Sequence, residues 1–419
     1  MRSILLLSIL VSVVVCDKWA LFVSGNYGWF NYCITSTVCR GYTILHDAGV
    51  PEDHMVYMGF TDIVKDPDNP FPGKIFTDPD PEGPGIDYAP GCLPHMDYSN
   101  NMVSAELFMA TLSGDKEEVT RLTGVKNPKV IESGPEDTVF VYYMDHGAIG
   151  FCEVGKSDLH EEVLIKTINK MYENKQYKQL CSISRLAILV RCSGKNVYAF
   201  TGSDTPHSAL MSNCPPNDVV NGKPIGVCLG AYFDNYWMQE VTDNGADLSH
   251  NEMYKIVHEK TAEHSAQNVS QYGDIDTIGE MPLREFIGDY VPKKKVSVEP
   301  KSMVKYEDVP KHLAMWKAIR AEPNTRSDAM AELEKVVREE ARKEIMVMRA
   351  AREYFKDDKL ADAATKNHPA SSNQDCMKDV LLSLMSKCGY TLPLRESHVT
   401  VLENICANGM VNIDFENVC

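Results

Sequence analysis

Two short stretches of the sequence end an apolar run in a side chain that can attack a carbonyl or move a proton. One run, at 139–144, leads into His146 and Gly147, and the other, at 186–190, leads into Cys192. A thiol attacks only after a base has taken its proton. An imidazole, with an ordinary pKa of about 6.5, suits that task near neutral or mildly acidic pH. The two side chains therefore make a candidate base and nucleophile for acyl transfer.

Each of these residues also has an ordinary structural interpretation. A cysteine at the end of a strand is often a small buried apolar residue, and a histidine in a loop is often only solvated. The chemical interpretation requires neighbouring strands, because the carboxyl ends of parallel strands meet at one edge of a sheet. Gly147 would then place its N–H beside that of Cys192 to hold an oxyanion, since no Cβ obstructs the approach. Taken alone, the residues leave both interpretations open.

The pattern of apolar runs indicates the elements that must position these groups. Runs rich in β-branched and aromatic residues predict strands at 19–24, 138–144, 186–190 and 196–200. Helical patterns lie between them, and strands that are apolar along their whole length predict a mostly parallel sheet covered on both faces. The proline- and glycine-rich stretch 60–95 predicts surface loops. The expected fold class is therefore α/β.

Length, charge and the amino terminus limit the class of protein. The chain has 419 residues with 44% hydrophobic content, enough for one or two cores, and its formal net charge of -17 argues against a nucleic-acid surface. Residues 1–16 combine Arg2 with an apolar run and predict a secretory signal peptide. No other stretch approaches the ~20 apolar residues of a membrane span. We expect a protein of the secretory pathway, with neither a membrane span nor a nucleic-acid partner.

The cysteine content fits an oxidising compartment. Of the 13 cysteines, Cys16 lies in the predicted signal peptide, and most of the others should be paired. Cys33 either bridges to Cys39 or lines a pocket as a thiol. The sequon at Asn268 predicts a glycosylated surface position. Neither a CxxC nor an HxxxH spacing occurs, so we expect neither a metal nor a cofactor.

The character of the sequence changes after about residue 290. The stretch that follows is charged and lacks periodicity, which predicts a linker, whereas helical spacing of apolar residues begins at Ser327. The last part of the chain places four cysteines among helical patterns. It predicts a small helical module with two disulfides, for which the spacing alone leaves three connectivities open.

Four segments of the chain resemble the legumain family of cysteine peptidases, the asparaginyl endopeptidases. They are SGNYGWFNY (24–32), DNPFPGKIF (68–76), SGPEDTVFVYYMDHGAIGF (133–151) and CLGAYFDNYWM (228–238). The likeness extends over the whole chain and implies a caspase-like α/β/α sandwich followed by a disulfide-linked helical prodomain. The implied divisions are a signal peptide at 1–16, a peptidase domain at 17–290, a linker or activation peptide at 291–324 and a prodomain at 325–419.

The resemblance also assigns roles to particular residues. It implies His146 as the base and Cys192 as the nucleophile. Asn31 would orient the imidazole, and the N–H groups of Gly147 and Cys192 would form the oxyanion hole. Asn324 occupies the position where relatives are cut to release the prodomain. The implied disulfides join Cys376 to Cys406, Cys388 to Cys419 and Cys214 to Cys228.

The largest departure from the family lies in the pocket that receives the residue before the scissile bond. Relatives that cut after asparagine line this pocket with polar groups, and the matching residues here are Cys33, Ile34, Val190, Ala209 and Ala231. A carboxamide in such a pocket loses its hydrogen-bond partners, so the preference for asparagine should weaken strongly. The segment after Cys192 is also shorter than in the family.

Two functions remain open from the sequence. One is an endopeptidase zymogen of the lysosome, the vacuole or the extracellular space, which acts on protein or peptide substrates. Its own prodomain would block the cleft at neutral pH and leave between about pH 4 and 5.5, as carboxylates at the contact become protonated. The resemblance further suggests cystatin-type inhibitors as partners. The other function is that of a pseudo-peptidase that binds a partner without turnover.

Overall fold

A computed structural model describes residues 16–79, 85–184, 194–204, 207–262, 267–292, 299–407 and 413–419. Cys192 and Val190 of the candidate site lie outside the described residues, as does the predicted signal peptide apart from Cys16. Within the described ranges, no helix is both long and apolar enough to cross a bilayer.

The strands are short, and most of the longer ones belong to one central sheet. In chain order they are β1 (Lys18–Ser24), β2 (Met55–Gly59), β3 (Tyr98–Ser99), β4 (Thr138–Met144), β5 (Gly147–Ala148), β6 (Phe151–Val154), β7 (Ser157–His160), β8 (Gln179–Ser184), β9 (Val197–Thr201), β10 (Leu210–Ser212), β11 (Val219–Val220), β12 (Lys223–Pro224), β13 (Gly230–Ala231), β14 (Ser270–Gly273) and β15 (Val304–Lys305).

The α-helices alternate with these strands and then dominate the carboxyl-terminal part. They are α1 (Tyr32–Asp47), α2 (Ala89–Cys92), α3 (Ala105–Leu112), α4 (Lys116–Thr123), α5 (Glu161–Glu173), α6 (Tyr232–Asn244), α7 (His250–Ala262), α8 (Arg284–Ile287), α9 (Val309–Arg320), α10 (Arg326–Phe355), α11 (Asp358–Ala363), α12 (Gln374–Cys388) and α13 (Glu396–Ile405).

The central sheet has the order β14-β9-β8-β4-β1-β2-β3. Its neighbours are parallel except for β14, which runs antiparallel to β9 at one edge. Alternate residues of β1 enter different cores: Phe22 packs in the cluster that includes α1 and α6, and Leu21 packs in the cluster that includes α3 and α5. This two-sided burial explains the unbroken apolar runs of the sequence. The predicted α/β/α sandwich with a mostly parallel sheet is therefore confirmed.

The strand predictions hold for β1, β4 and β9 within a residue of each end. The predicted strand at 186–190 lies outside the described residues. β4 lies between β1 and β8. The sequence pattern did not indicate β8, at Gln179–Ser184. Its sequence, QLCSIS, alternates apolar and polar residues, so it lacks the unbroken apolar run of its neighbours, although most of the strand is buried.

Four disulfides are present among the described residues. Three join the pairs that the resemblance implied, Cys214 to Cys228, Cys376 to Cys406 and Cys388 to Cys419. The alternative of a bridge between Cys33 and Cys39 is wrong, because Cys39 bonds to Cys92 instead. Cys33 and Cys39 both lie on α1, where six positions span about 9 Å, so their Cα atoms are too far apart for a disulfide. The bond to Cys92 ties the long loop region at 60–95 to this helix.

The carboxyl-terminal module has its own apolar core. Residues of α10, α12 and α13 form a third cluster, which also takes in Ile149 and Phe151 from the β5–β6 hairpin region of the sheet domain. The expected linker is more ordered than its sequence indicates, because it contains β15 and α9. The buried residues of α9 are few, namely Val309, Ala314 and Ala318. Its apolar periodicity is correspondingly weak. The helix packs against α10, and such tertiary packing stabilises a helix of weak periodicity.

Candidate active site

His146 stands just beyond the carboxyl end of β4, where the chain turns from the sheet into the β5–β6–β7 hairpins. Just after β1, the N–H of Gly25 donates to the carbonyl of Met144 at 3.0 Å and ties β1 to the end of β4. A Cβ on Gly25 would lie 2.3 Å from a carboxylate oxygen of Asp145, so only glycine fits beside this turn. The N–H of Glu153 donates to the His146 carbonyl at 3.0 Å and fixes the far side.

Asn31 and His146 are brought together as the resemblance implied. Asn31 is the residue before α1, and its Oδ1 lies 2.6 Å from Nε2 of His146. Its Nδ2 donates to the carbonyl of Tyr27 at 2.7 Å, which leaves Oδ1 facing the ring as an acceptor. The hydrogen of a neutral imidazole therefore resides on Nε2, and Nδ1 is the basic nitrogen.

An aromatic side chain from the expected linker covers this imidazole. The ring of Tyr306 stacks on His146 with centroids 4.3 Å apart, and Phe30 lies 6.3 Å from both rings. The backbone of this segment is held as a strand: β15 pairs antiparallel with β10, and the Tyr306 N–H donates to the carbonyl of Ala209 at 2.9 Å. Residues 304–306 thus lie beside the imidazole like an added strand, a feature that no sequence pattern indicated.

Gly147 is half-buried in β5, where it pairs with Cys152 of β6. Gly147 directly follows His146, and this pairing holds its backbone in place. Cys152 lies on the buried side, and burial raises the pKa of its thiol well above the ordinary value. The nearby thiol of Cys152 is thus held in its neutral form and is unsuited to attack.

The described chain stops at Ser184 and resumes at Gly194. These two residues lie at opposite ends of the parallel strands, Ser184 at the carboxyl ends and Gly194 near the amino ends. β8 ends at Ser184, opposite Tyr143 and near His146. The chain resumes at Gly194, whose N–H donates to Oδ1 of Asp274 at 2.7 Å. β9 then begins at Val197, level with Leu180 at the start of β8.

The distance between these two ends of the strands matters for Cys192. The carboxylate of Asp274 also accepts the N–H of Val197, at 3.2 Å, so Gly194 lies near the amino end of the sheet. Val139 is level with Leu180, and the five steps from there to Met144 span about 17 Å. Two residues of chain, from Gly194 to Cys192, span at most about 7 Å.

The described pocket residues lie together as a buried apolar group. Cys33, Ile34 and Ala231 are 4%, 0% and 1% exposed, and Ala209 is half-buried. Met211, two residues after Ala209, lies against this group: its Sδ lies 3.4 Å from Cys33 Sγ, and it pairs with Ala231 across β10 and β13. The sequence did not single out Met211.

A second cysteine and histidine pair is buried in the core. Sγ of Cys181, on β8, lies 3.9 Å from Nδ1 of His250, and both side chains are fully enclosed. Burial raises the pKa of the Cys181 thiol and lowers the pKa of His250 to about 3. Both groups stay neutral at physiological pH, and a substrate has no access to them, so this pair is structural.

Polar contacts, together with apolar packing, hold the linker on the sheet domain. Arg320 at the end of α9 donates to both carboxylate oxygens of the buried Asp218, at 2.9 and 2.7 Å. Nε2 of His312 lies 2.6 Å from the carbonyl of Pro215. These residues dock α9 on the loop that the disulfide between Cys214 and Cys228 closes.

The expected modification sites differ in accessibility. Asn268 is half-buried, and its Nδ2, the atom that would carry a glycan, donates to Asp204 at 2.6 Å. Asn324 is exposed in the turn between α9 and α10, where a protease can reach it. No cluster of metal-ligating side chains occurs within the described ranges.

The fold and site define a class: a caspase-like α/β/α protein with an asparagine-oriented imidazole at the carboxyl edge of its sheet. A family model described as the Peptidase C13 family matches residues 18–289. The chain therefore belongs to the Peptidase C13 family, the legumain family of cysteine-type endopeptidases.

Individual relatives cover different shares of the chain. Legumain of Homo sapiens is 28% identical over 435 residues, which cover 96% of this chain and 92% of that protein. The vacuolar-processing enzyme of Vicia sativa is 29% identical over 423 residues, covering 94% and 83%. Legumain of Mus musculus is 32% identical over 280 residues, which cover 64% of this chain and only 59% of the mouse protein.

Proposed function

We propose that this chain is a legumain-like cysteine endopeptidase made as a zymogen, with His146 as its base. The observation that carries the proposal is the hydrogen bond from Nε2 of His146 to Asn31, which leaves a basic nitrogen at the carboxyl edge of the sheet. An oriented imidazole is what thiol activation requires.

The proposed reaction assigns the thiol to Cys192. The imidazole takes the thiol proton, the thiolate attacks the peptide carbonyl, and the N–H groups of Gly147 and Cys192 hold the oxyanion. The imidazolium then protonates the leaving amine, and water hydrolyses the acyl-enzyme. Protein or peptide substrates enter after residues 304–306 leave the imidazole. With the apolar pocket described above, the preference for asparagine is weak.

Latency follows from the strand and ring that cover His146. Tyr306 and β15 belong to the segment before the exposed turn at Asn324, so a cut in this turn separates that segment from α10. We propose release at acidic pH in a lysosome, a vacuole or the extracellular space. Cystatin-type inhibitors would then compete with substrates for the uncovered cleft.

A second candidate is a binding protein with no turnover, and one observation favours it. Gly194 is held near the amino edge of the sheet, about 17 Å below Met144, whereas a chain of two residues spans at most about 7 Å. A nucleophilic Cys192 therefore requires Gly194 to leave Asp274. If that bond persists in the uncovered protein, the chain binds peptides beside His146 without cutting them.

Thiol labelling separates the two candidates. The full chain, cut in the exposed turn at 321–325, is treated at pH 5 with a peptide that carries a thiol-reactive group, and mass spectrometry locates the label. The peptidase predicts a label on Cys192 that is absent from Cys192→Ala and much slower in His146→Ala. Equal labelling of the wild type and Cys192→Ala would sink the peptidase proposal in favour of the binding protein.

A further inference from the structure

Among the described residues, three parts of the chain supply walls of the primary pocket of the proposed cleft. α1 contributes Cys33 and Ile34, Ala209 lies just before β10, and β13 contributes Ala231. The walls are fixed to one another, because Oγ of Ser36 on α1 donates to the carbonyl of Leu229 at 2.6 Å, just before β13. The strands are joined as well, since β10 and β13 pair antiparallel. The pocket therefore cannot widen without breaking these bonds.

The side chain of Met211 occupies the space between the walls. Met211 is 1% exposed, its Sδ touches Sγ of Cys33 at 3.4 Å, and its backbone is paired with Ala231. Because Met211 and Ala231 are directly opposite each other in β10 and β13, their side chains lie on one face of this small sheet. A cavity of about 810 Å³ lies nearby under α9, but none of the pocket residues lines it. The pocket itself is filled by the protein.

We infer that Met211 closes the primary pocket, so that the cleft takes a peptide with glycine or alanine before the scissile bond. The inference rests on the proposed peptide-binding function and narrows its substrate class. Asparagine is rejected, because these walls offer no strong hydrogen-bond partner to its amide. Leucine or methionine is rejected, because the volume it needs already holds the Met211 thioether, and overpacking a filled site is unfavourable.

The test measures binding and cleavage separately. The full chain is cut in the exposed turn at 321–325, so that added peptides can exchange with residues 304–306. Fluorescent peptides that differ only in having glycine, alanine, leucine, methionine or asparagine at the tested position are titrated by anisotropy. The same peptides are analysed for cleavage. We expect the wild type to bind the glycine and alanine peptides at least about tenfold more tightly than the others.

Substitution of the closing residue should reverse the order for apolar peptides. Met211→Ala should raise the affinity for the leucine and methionine peptides about tenfold, whereas Met211→Leu, which conserves volume, should leave the order unchanged. Cys33→Ala opens the same space from α1 and serves if Met211→Ala does not fold, as judged by thermal unfolding.

The outcomes separate this inference from the peptidase proposal. Binding in the expected order without cleavage would overturn the peptidase and leave the closed pocket intact. Tighter binding of asparagine or leucine by the wild type, or an order that neither Met211→Ala nor Cys33→Ala changes, would overturn the inference. An absence of binding by every variant would overturn it as well.

Discussion

His146 is held by contacts from three separate parts of the chain. Asn31 fixes the ring through Nε2, Glu153 holds its backbone, and Tyr306 covers one face of the ring. The first contact sets the chemistry, because it determines which nitrogen is basic. The third sets access, because a stacked ring keeps solvent and substrate from that face. The orientation of the ring and the access to it thus depend on different residues and can be tested separately.

The role of Asn31 predicts a loss of reactivity. Asn31→Ala removes the acceptor of the Nε2 hydrogen, so the ring can rotate and change tautomer. We expect the variant, cut at 321–325 and treated at pH 5, to react with the peptide-based thiol reagent at most about one hundredth as fast as the wild type, because it has lost a positioned base. The matched control is Asn174→Ala, on the exposed end of α5, which should react at the wild-type rate. An unchanged rate in Asn31→Ala would remove the orienting role.

The role of Tyr306 predicts a change in access. Tyr306→Ala uncovers one face of the imidazole in the intact chain, so diethyl pyrocarbonate should modify His146 several times faster at pH 6. Peptide mapping by mass spectrometry measures this rate. Tyr172→Ala, on the exposed surface of α5, is the matched control. Equal modification rates in the two variants would show that the stacked ring does not limit access.

At the scale of elements, β8 and β9 are the strands before and after the segment that carries Cys192. β8 delivers the chain to the carboxyl edge at Ser184, and Asp274 holds Gly194 near the amino edge. The carboxylate of Asp274 accepts two backbone N–H groups, those of Gly194 and Val197. This single side chain therefore fixes the point at which the segment rejoins the sheet.

Substitution of Asp274 tests whether Gly194 must leave this carboxylate before Cys192 can react. Asp274→Ala leaves two backbone donors without their acceptor, which should lower the free energy of unfolding by about 1–3 kcal/mol in a denaturant titration. If Cys192 is the nucleophile and needs Gly194 to leave, the variant should also label faster at Cys192. Asp276→Ala, two residues along and exposed, is the control. A lower free energy of unfolding without faster labelling would favour the binding protein.

At the scale of the whole molecule, the helical module meets the sheet domain and the linker through carboxyl groups whose pKa values are shifted in opposite directions. Lys378 of α12 pairs with Glu162 and lowers the pKa of that carboxyl. Glu307, beside Tyr306, accepts the N–H of Glu396 at 2.9 Å, and burial raises its pKa. The ion pair of Glu162 favours docking above the ordinary carboxyl pKa and is lost as the pH falls. Protonation of Glu307 instead favours docking as the pH falls through its raised pKa.

These opposite signs predict the pH response of two variants. Glu307→Gln removes a buried charge, so docking should be tighter at pH 7 and should weaken more between pH 7 and 4 than in the wild type. Glu162→Gln should weaken docking at pH 7, by about 1 kcal/mol or less because the pair is exposed, and flatten the acid response. The chain is cut at 321–325. Gel filtration at each pH then measures how much of the helical module stays bound to the sheet domain and linker. The same pH response in both variants would contradict the assignment.

The sequence by itself determined three strands of the sheet and the position of His146 after one of them. Apolar runs buried on both faces specified β1, β4 and β9, and the turn after β4 placed His146, because strand burial is a local pattern that residue types record. The tertiary structure decided what lies around it: the strand β8 with its mixed residues, the linker helix α9, the ring of Tyr306 and the thioether of Met211. Each of these depends on contacts between distant segments, such as Met211 with Cys33, which no local pattern encodes.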